Sequence, residues 1–262
     1  MSEPSKPRFD GRPYDALRPV EITVGFQRNA EGSVLYRAGG TVVLCTASID
    51  AKVPPFLEGK GKGWLTAEYQ MHPRASPARR EARDGRGKAP SGRTQEIQRL
   101  VGRALRAAVE LDRVGERTLT IDCDVLEADG GTRTASVTGG FIALGLALAK
   151  LHANGTLTEP VLREPIAATS VGWLPGNLLA LDLAYVEDSK ADFDLNVVAT
   201  AGGDIVEIQG TAESAPLPRK DVDKMIDLAL RGVRTLATLQ RDTLAKAGVD
   251  LAALTRNRAA AS

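Results

Sequence analysis

A chain of 262 residues, 43% hydrophobic and 26% charged, can bury one large core or two modest ones and is too apolar for a disordered tail. Thirty-four Lys and Arg against 33 Asp and Glu leave a formal charge of +1, so no overall field marks a polyanion binder. The opening residues, MSEPSKPRFDGR, lack the apolar segment of an export signal. No run reaches the ~18 uninterrupted apolar residues of a membrane span, so a cytoplasmic protein is expected.

Alternating apolar runs at 20–26, 33–39 and 41–50 predict three strands, the second and third joined at Gly39-Gly40. Cys45 in the third and Cys123 further on each lie inside an apolar strand-like run, the pattern of buried free thiols. After the loop VPPFLEGKGKG comes a basic segment. Between His72 and Arg93, six arginines and one lysine meet only Glu81 and Asp84, a net of +5, which reads as a solvated loop or as a track for a nucleic-acid backbone. Ile97, Leu100, Val101, Ala104, Leu105 and Ala108 recur at helical spacing. The polar face of that helix carries Arg99, Arg103 and Arg106, which extend the positive surface that would follow a single-stranded nucleic-acid backbone.

Residues 118–129 predict a strand, and about 133–152 a helix that is apolar nearly all round, closed by Asn154-Gly155, with His152 complementing the helix dipole. Proline and charge in TEPVLREP, 158–165, mark a boundary between units of 1–157 and 158–262. The second unit predicts strands at 166–173, 177–185, 191–200 and 204–212. A helix follows from Pro218, with Val222, Met225, Ile226, Ala229, Val233 and Leu236 on its apolar face. The chain is therefore expected to be α+β, two β-rich halves with packed helices.

Several chemistries are absent. Two histidines give little material for a Ser/His/Asp triad, and neither a G-x-x-x-x-G-K-[ST] loop nor a G-x-G-x-x-G turn is present. What remains is anionic and metal chemistry. Gly130-Gly131-Thr132-Arg133 opens the apolar helix, either as a tight connection capped by Thr132 or as an anion seat in which backbone N–H groups, the helix dipole and a guanidinium act together. Ser91-Gly92-Arg93-Thr94 repeats the idea at the preceding helix. In YVEDSKADFDLN, Asp192, Asp194 and Asn196 share one face of a strand, and Glu187 and Asp188 stand just before it. Carboxylates without histidine suit Mg²⁺ or Mn²⁺ held partly by a substrate's phosphate, although a solvated acidic edge has the same pattern.

FDGRPYDALRPVEI, VPPFLEGKGKGWLTAEYQMHPRAS, SGRTQEIQRLVGRALRAAV, IDCDVLEADGGTRTASVTGGF, DLAYVEDSKADFDLNVV and VEIQGTAE resemble, in order, the bacterial ribonuclease PH family of phosphate-dependent exoribonucleases. The likeness runs from about Arg8 to Leu239. It implies a ribosomal-protein-S5-domain-2-like fold and a homohexamer built as a trimer of dimers. It implies trimming of tRNA precursors beyond CCA, with inorganic phosphate as co-substrate and nucleoside diphosphates as products, and the reverse addition. By motif, Arg93 and the Gly131, Thr132, Arg133 loop bind phosphate. Asp188 and Asp194 hold the metal and serve catalysis, and Arg74, Arg79 and Arg83 make hexamer contacts; Arg99 and Arg106, read from the polar face of the helix, then fall on the RNA side. Departures are His72 for leucine, a basic loop one residue longer, SAPLP before the last helix, and Phe193, expected to crowd the acidic edge. The rival readings are a non-catalytic RNA-binding ring subunit of an exosome-like assembly and a magnesium-dependent hydrolytic nuclease.

Overall fold

The computed structural model describes residues 8–77, 80 and 89–256. Strands β1 (Val20–Val24), β2 (Gly32–Ala38) and β3 (Thr41–Asp50) form the expected antiparallel meander. A strand not anticipated from the pattern follows: β4 (Trp64–Met71) pairs in parallel with β5 (Thr118–Glu127), Trp64 opposite Thr118 and Met71 opposite Val125. Its inward residues Leu65, Ala67 and Tyr69 are buried. The first sheet has the order β1-β2-β3-β5-β4. Cys45 and Cys123 face each other across β3 and β5 as buried free thiols, and the hydrogen bond to Cys123 together with burial pushes the Cys45 thiol well up.

Between β4 and β5 run α1 (Gly92–Ala107), as its spacing predicts, and the single turn α2 (Leu111–Val114). The long apolar helix is α3 (Thr132–Ala153). It lies between the two sheets, where Phe141, Ile142, Leu144 and Leu148 are fully buried, each contributing ~1.5–3 kcal/mol. By length and composition α3 is long and apolar enough to cross a membrane, yet most of it is covered by the protein itself.

The second sheet runs β7-β6-β8-β9, from β6 (Ile166–Leu174), β7 (Leu178–Leu181), β8 (Phe193–Thr200) and β9 (Ile205–Ala212). The strand expected over 177–185 stops at Leu181, because Asp182 adopts a left-handed φ of 55° and the chain then makes one helical turn, α4 (Tyr185–Asp188). After Pro218, α5 (Arg219–Lys246) covers the outer face of this sheet through Met225, Leu228, Ala229, Val233 and Leu236, and α6 (Leu251–Leu254) closes the described chain. The inner face of the second sheet meets α3, and at the N-terminal entrance of α3 Asp194, Asn196 and Gln209 of that sheet line a cleft.

Candidate active site

At the start of α3, Gly130 and Gly131 both take left-handed backbone, φ 76° and 68°. A side chain on Gly130 would put Cβ 2.7 Å from the Leu183 carbonyl oxygen, and one on Gly131 would put it 2.9 Å from Arg18 Nη2, so only glycine fits the turn. The first intrahelical bond runs from Ala135 N–H to Gly131 O at 2.9 Å. The N–H groups of Thr132, Arg133 and Thr134 are thus left at the positive end of a 22-residue helix. Thr132 does not cap that helix: the cap position is Gly131, and Thr132 Oγ1 bonds the Tyr69 hydroxyl at 2.8 Å. The second helix entrance is as read, with Ser91 as N-cap accepting from Thr94 N–H at 3.1 Å.

Both entrances open into one cleft of about 1410 Å³, whose walls include Arg93, Gly131, Thr132, Arg133, Asp188 and Asp194. Arg133 is half-buried and bonds Gln209 Oε1 of β9 at 3.1 Å and Glu96 Oε1 of α1 at 3.3 Å. Arg93 is exposed, with no hydrogen-bond partner among the described residues. Asp194 and Asn196 stand on the open face of β8, while Leu195 and Val197 are buried on the other. Phe193 also turns to that second face and packs into the core under α5, so it does not crowd the acidic edge. Asp192 shares a face with Asp194 but bonds Ser214 Oγ at 3.0 Å and does not line the cleft.

The cleft separates charge in space. Asp188 has open surface, yet the concave walls strip enough water from it to raise its carboxyl above the ordinary value; the guanidinium charges of Arg133 and Arg93 pull it back, and Glu213 adds to the rise. Burial raises Asp194 as well, reinforced by the charges of Asp188 and Glu213 and opposed by Arg133. Glu213, in the GTAE stretch just after β9, also lines the cleft, and the sequence assigned it no role. Among the described residues no three or more Asp, Glu, His or Cys side chains gather closely enough to cage an ion. Two unneutralised carboxylates with no nitrogen or sulfur beside them fit a hard cation whose other positions are filled by water and substrate oxygens.

Behind the cleft lies a buried ionic network that sequence reasoning missed. Arg18 donates to both Asp182 carboxylate oxygens, Nε to Oδ2 at 3.0 Å and Nη2 to Oδ1 at 2.7 Å, and to the Asp129 carbonyl at 2.7 Å and the Gly130 carbonyl at 3.4 Å. It therefore braces the glycine turn from beneath. Arg8, 4% exposed, chelates Glu187 through Nε at 2.7 Å and Nη2 at 2.5 Å. Arg12 adds a bond to the Asp182 carbonyl at 2.7 Å. Burial by itself would raise the Asp182 carboxyl, but the hydrogen bonds and charge of Arg18, with the charge of Arg12, outweigh it and hold it below its ordinary 3.8. On α4, then, Glu187 points to the buried arginines while its neighbour Asp188 points into the cleft.

The basic surface is more broken than its composition. Arg99 is exposed on α1. Arg103 pairs with Glu207 of β9 at 2.6 Å. Arg106 departs from the RNA-facing expectation: its guanidinium stacks 4.9 Å from the Trp64 ring centre and donates to the Leu65 carbonyl at 2.8 Å, so its charge is spent inside the domain. Arg74 is exposed on the rim of the cleft, and Arg79 and Arg83 lie outside the described residues.

Residues 16–149 match domain 1 of the 3′ exoribonuclease family, and residues 164–232 match domain 2. The chain is 51% identical over 244 residues to a ribonuclease PH of Geobacillus sp. (strain WCH70), covering 93% of this chain and 95% of that one. It is 52% identical over 234 residues to one of Bacillus pumilus (strain SAFR-032), covering 89% and 96%. In three dimensions it is similar to rice (Oryza sativa) Rrp46, with a TM-score of 0.73, 18% identity and coverage of 90% and 100%. It is likewise similar to an Archaeoglobus fulgidus exosome with RNA bound to the active site, with a TM-score of 0.70, 24% identity and coverage of 88% and 91%. The architecture is that of the ribosomal-protein-S5-domain-2-like fold.

Proposed function

The chain belongs to the 3′ exoribonuclease family, and from that premise we propose how its cleft shortens RNA. It is a phosphorolytic 3′-to-5′ exoribonuclease acting in tRNA processing, a tRNA nucleotidyltransferase in the reverse sense. The observation that carries the assignment of residues is the convergence of Arg93 and the Gly131–Arg133 turn with Asp188 and Asp194 on one cleft.

Inorganic phosphate sits at the entrance of α3, held by the backbone N–H groups of residues 132–134 and by Arg93 and Arg133, in line with the last phosphodiester. One of its oxygens forms a bond to the terminal phosphorus as the bond from that phosphorus to the preceding 3′-oxygen breaks. The proton carried by the attacking phosphate ends on the departing 3′-oxygen, so the products are a nucleoside diphosphate and an RNA one residue shorter. No covalent enzyme intermediate is needed. Asp188 and Asp194 would hold a Mg²⁺ or Mn²⁺, which would supply positive charge to offset the negative charge of the scissile phosphoryl group. Because a diester is exchanged for a diphosphate linkage, the ratio of phosphate to nucleoside diphosphate sets the direction.

Substrates are tRNA precursors extended beyond CCA and other single-stranded 3′ ends, engaged along the exposed face of α1 that carries Arg99. The working assembly is a homohexameric ring, a trimer of dimers, in the cytoplasm, which a solution mass measurement tests. Labelled RNA with a 3′ extension, incubated with Mg²⁺ with and without phosphate, separates the readings. Phosphate-dependent release of nucleoside diphosphates is expected. Monophosphates formed without phosphate would establish a hydrolase, and binding without shortening a non-catalytic ring subunit.

A further inference from the structure

The wall of the cleft is mostly polar or glycine, yet it includes two exposed hydrophobic residues, Tyr185, 64% exposed, and Ile208, 39% exposed. Tyr185 is the first residue of α4, and Asp188 is the last. Residues three apart on a helix are neighbours on one face, so the single turn presents the phenol ring and the proposed metal-holding carboxylate side by side, while Glu187 between them is drawn back to Arg8. The ring's backbone is fixed as well: Tyr185 N–H donates to the Asp129 carbonyl at 3.2 Å, which ties it to the glycine turn that seats phosphate. The Tyr185 hydroxyl meets no partner among the described residues, so what the site offers is a bare aromatic face.

We propose that Tyr185 is a stacking platform for the base of the terminal RNA nucleotide. The proposal rests on the exoribonuclease reading and adds a base subsite to it. A nucleotide whose phosphate lies against Asp188 carries its base within reach of the neighbouring ring. Stacking takes any base, because every base has a π face. An enzyme that removes 3′ extensions residue by residue needs such tolerance, since hydrogen-bonded readout of one base would stall it at the next. The contact also aligns the terminal residue before phosphate attacks, a positioning role distinct from holding either charged group.

The test couples the side chain to the base. Binding of a short single-stranded RNA is measured by fluorescence anisotropy with Mg²⁺ and without phosphate, so that nothing is degraded. Its 3′ residue is either an ordinary nucleotide or an abasic one. The wild-type protein is expected to prefer the ordinary end about tenfold, which corresponds to ~1.4 kcal/mol and lies within the usual range for one stacked base. Tyr185→Ala should bind both ends alike, whereas Tyr185→Phe should keep the full preference. In a parallel turnover assay the KM for phosphate should be the same in all three proteins. A Tyr185→Ala protein that still prefers the base-bearing end, or one that weakens equally toward both, overturns the proposal. Failure of the wild-type protein to release nucleoside diphosphates while the binding preference holds would instead sink the catalytic reading alone.

Discussion

Replacing Arg18 with alanine should damage both stability and phosphate use, and the size of each effect follows from what the side chain holds. Arg18 and Asp182 are 5% and 7% exposed, and their guanidinium and carboxylate meet through two bonds of 2.7 and 3.0 Å. Removing one member of a buried pair leaves the other uncompensated, at a cost of about 3–5 kcal/mol. Arg12 Nη1 stands 3.7 Å from Asp182 and takes up part of the loss, which favours the lower end. In a chain of this size that corresponds to a fall in Tm of about 6–20 °C. Because Asp182 is held below its ordinary 3.8, the pair's contribution is complete above that pH and disappears as pH falls through the lowered value. The stability gap between wild type and Arg18→Ala should therefore be full at neutral pH and close below about pH 3.8. Arg18 also supports the Asp129 and Gly130 carbonyls, so the variant's KM for phosphate should rise while its affinity for RNA changes little. Thermal denaturation across pH, together with initial rates over a phosphate series, measures all of this. A variant that melts within 2 °C of wild type at neutral pH, or one with an unaltered KM for phosphate, would refute the account of Arg18 as a brace.

Arg93→Ala should lower phosphorolysis by on the order of 10²-fold while sparing RNA binding, by the usual loss of one preorganised donor, and a phosphate-dependence curve beside an RNA titration checks it. Asp188→Ala and Asp194→Ala should each abolish metal-dependent turnover without lowering Tm, since each carboxylate is held in the cleft against a burial cost that its removal relieves; normal trimming by either variant would exclude that residue. Gly130→Ala should cost ~1–3 kcal/mol for a strained turn and force the Leu183 carbonyl away, seen as a lower Tm together with lost activity.

Periodicity made most of the scaffold legible. The α1 stripe from Ile97 to Ala108 and the alternation in β3 each reflect one face meeting a core, and both elements formed where the pattern placed them. β4 escaped because its alternation is carried by small and polar residues, Thr66, Ala67, Glu68, and because its partner lies beyond an intervening helix. α4 escaped because four residues are too few to show a helical period, and the apolar run before it reads as one continuous strand. The site followed the same logic. Gly130, Gly131 and Arg133 were readable because glycine pairs at a helix entrance have a specific backbone use. Arg8, Arg12 and Arg18 were not, because an arginine that closes a buried network looks no different in sequence from one that faces water. Arg106 illustrates the same ambiguity in reverse, since only contact with Trp64 distinguishes a packed guanidinium from a free one.

The two consecutive acids of α4 make this turn sensitive to length in a way its neighbours are not. Each residue added to a helix rotates everything after it by ~100°. Deleting one residue between Asp182 and Glu187 would carry Asp188 into the position that faces Arg8, and inserting one would carry Glu187 into the position that faces the cleft, so either change leaves one of the two jobs without its acid. Relatives that keep this site should therefore keep an invariant residue count across this short arc.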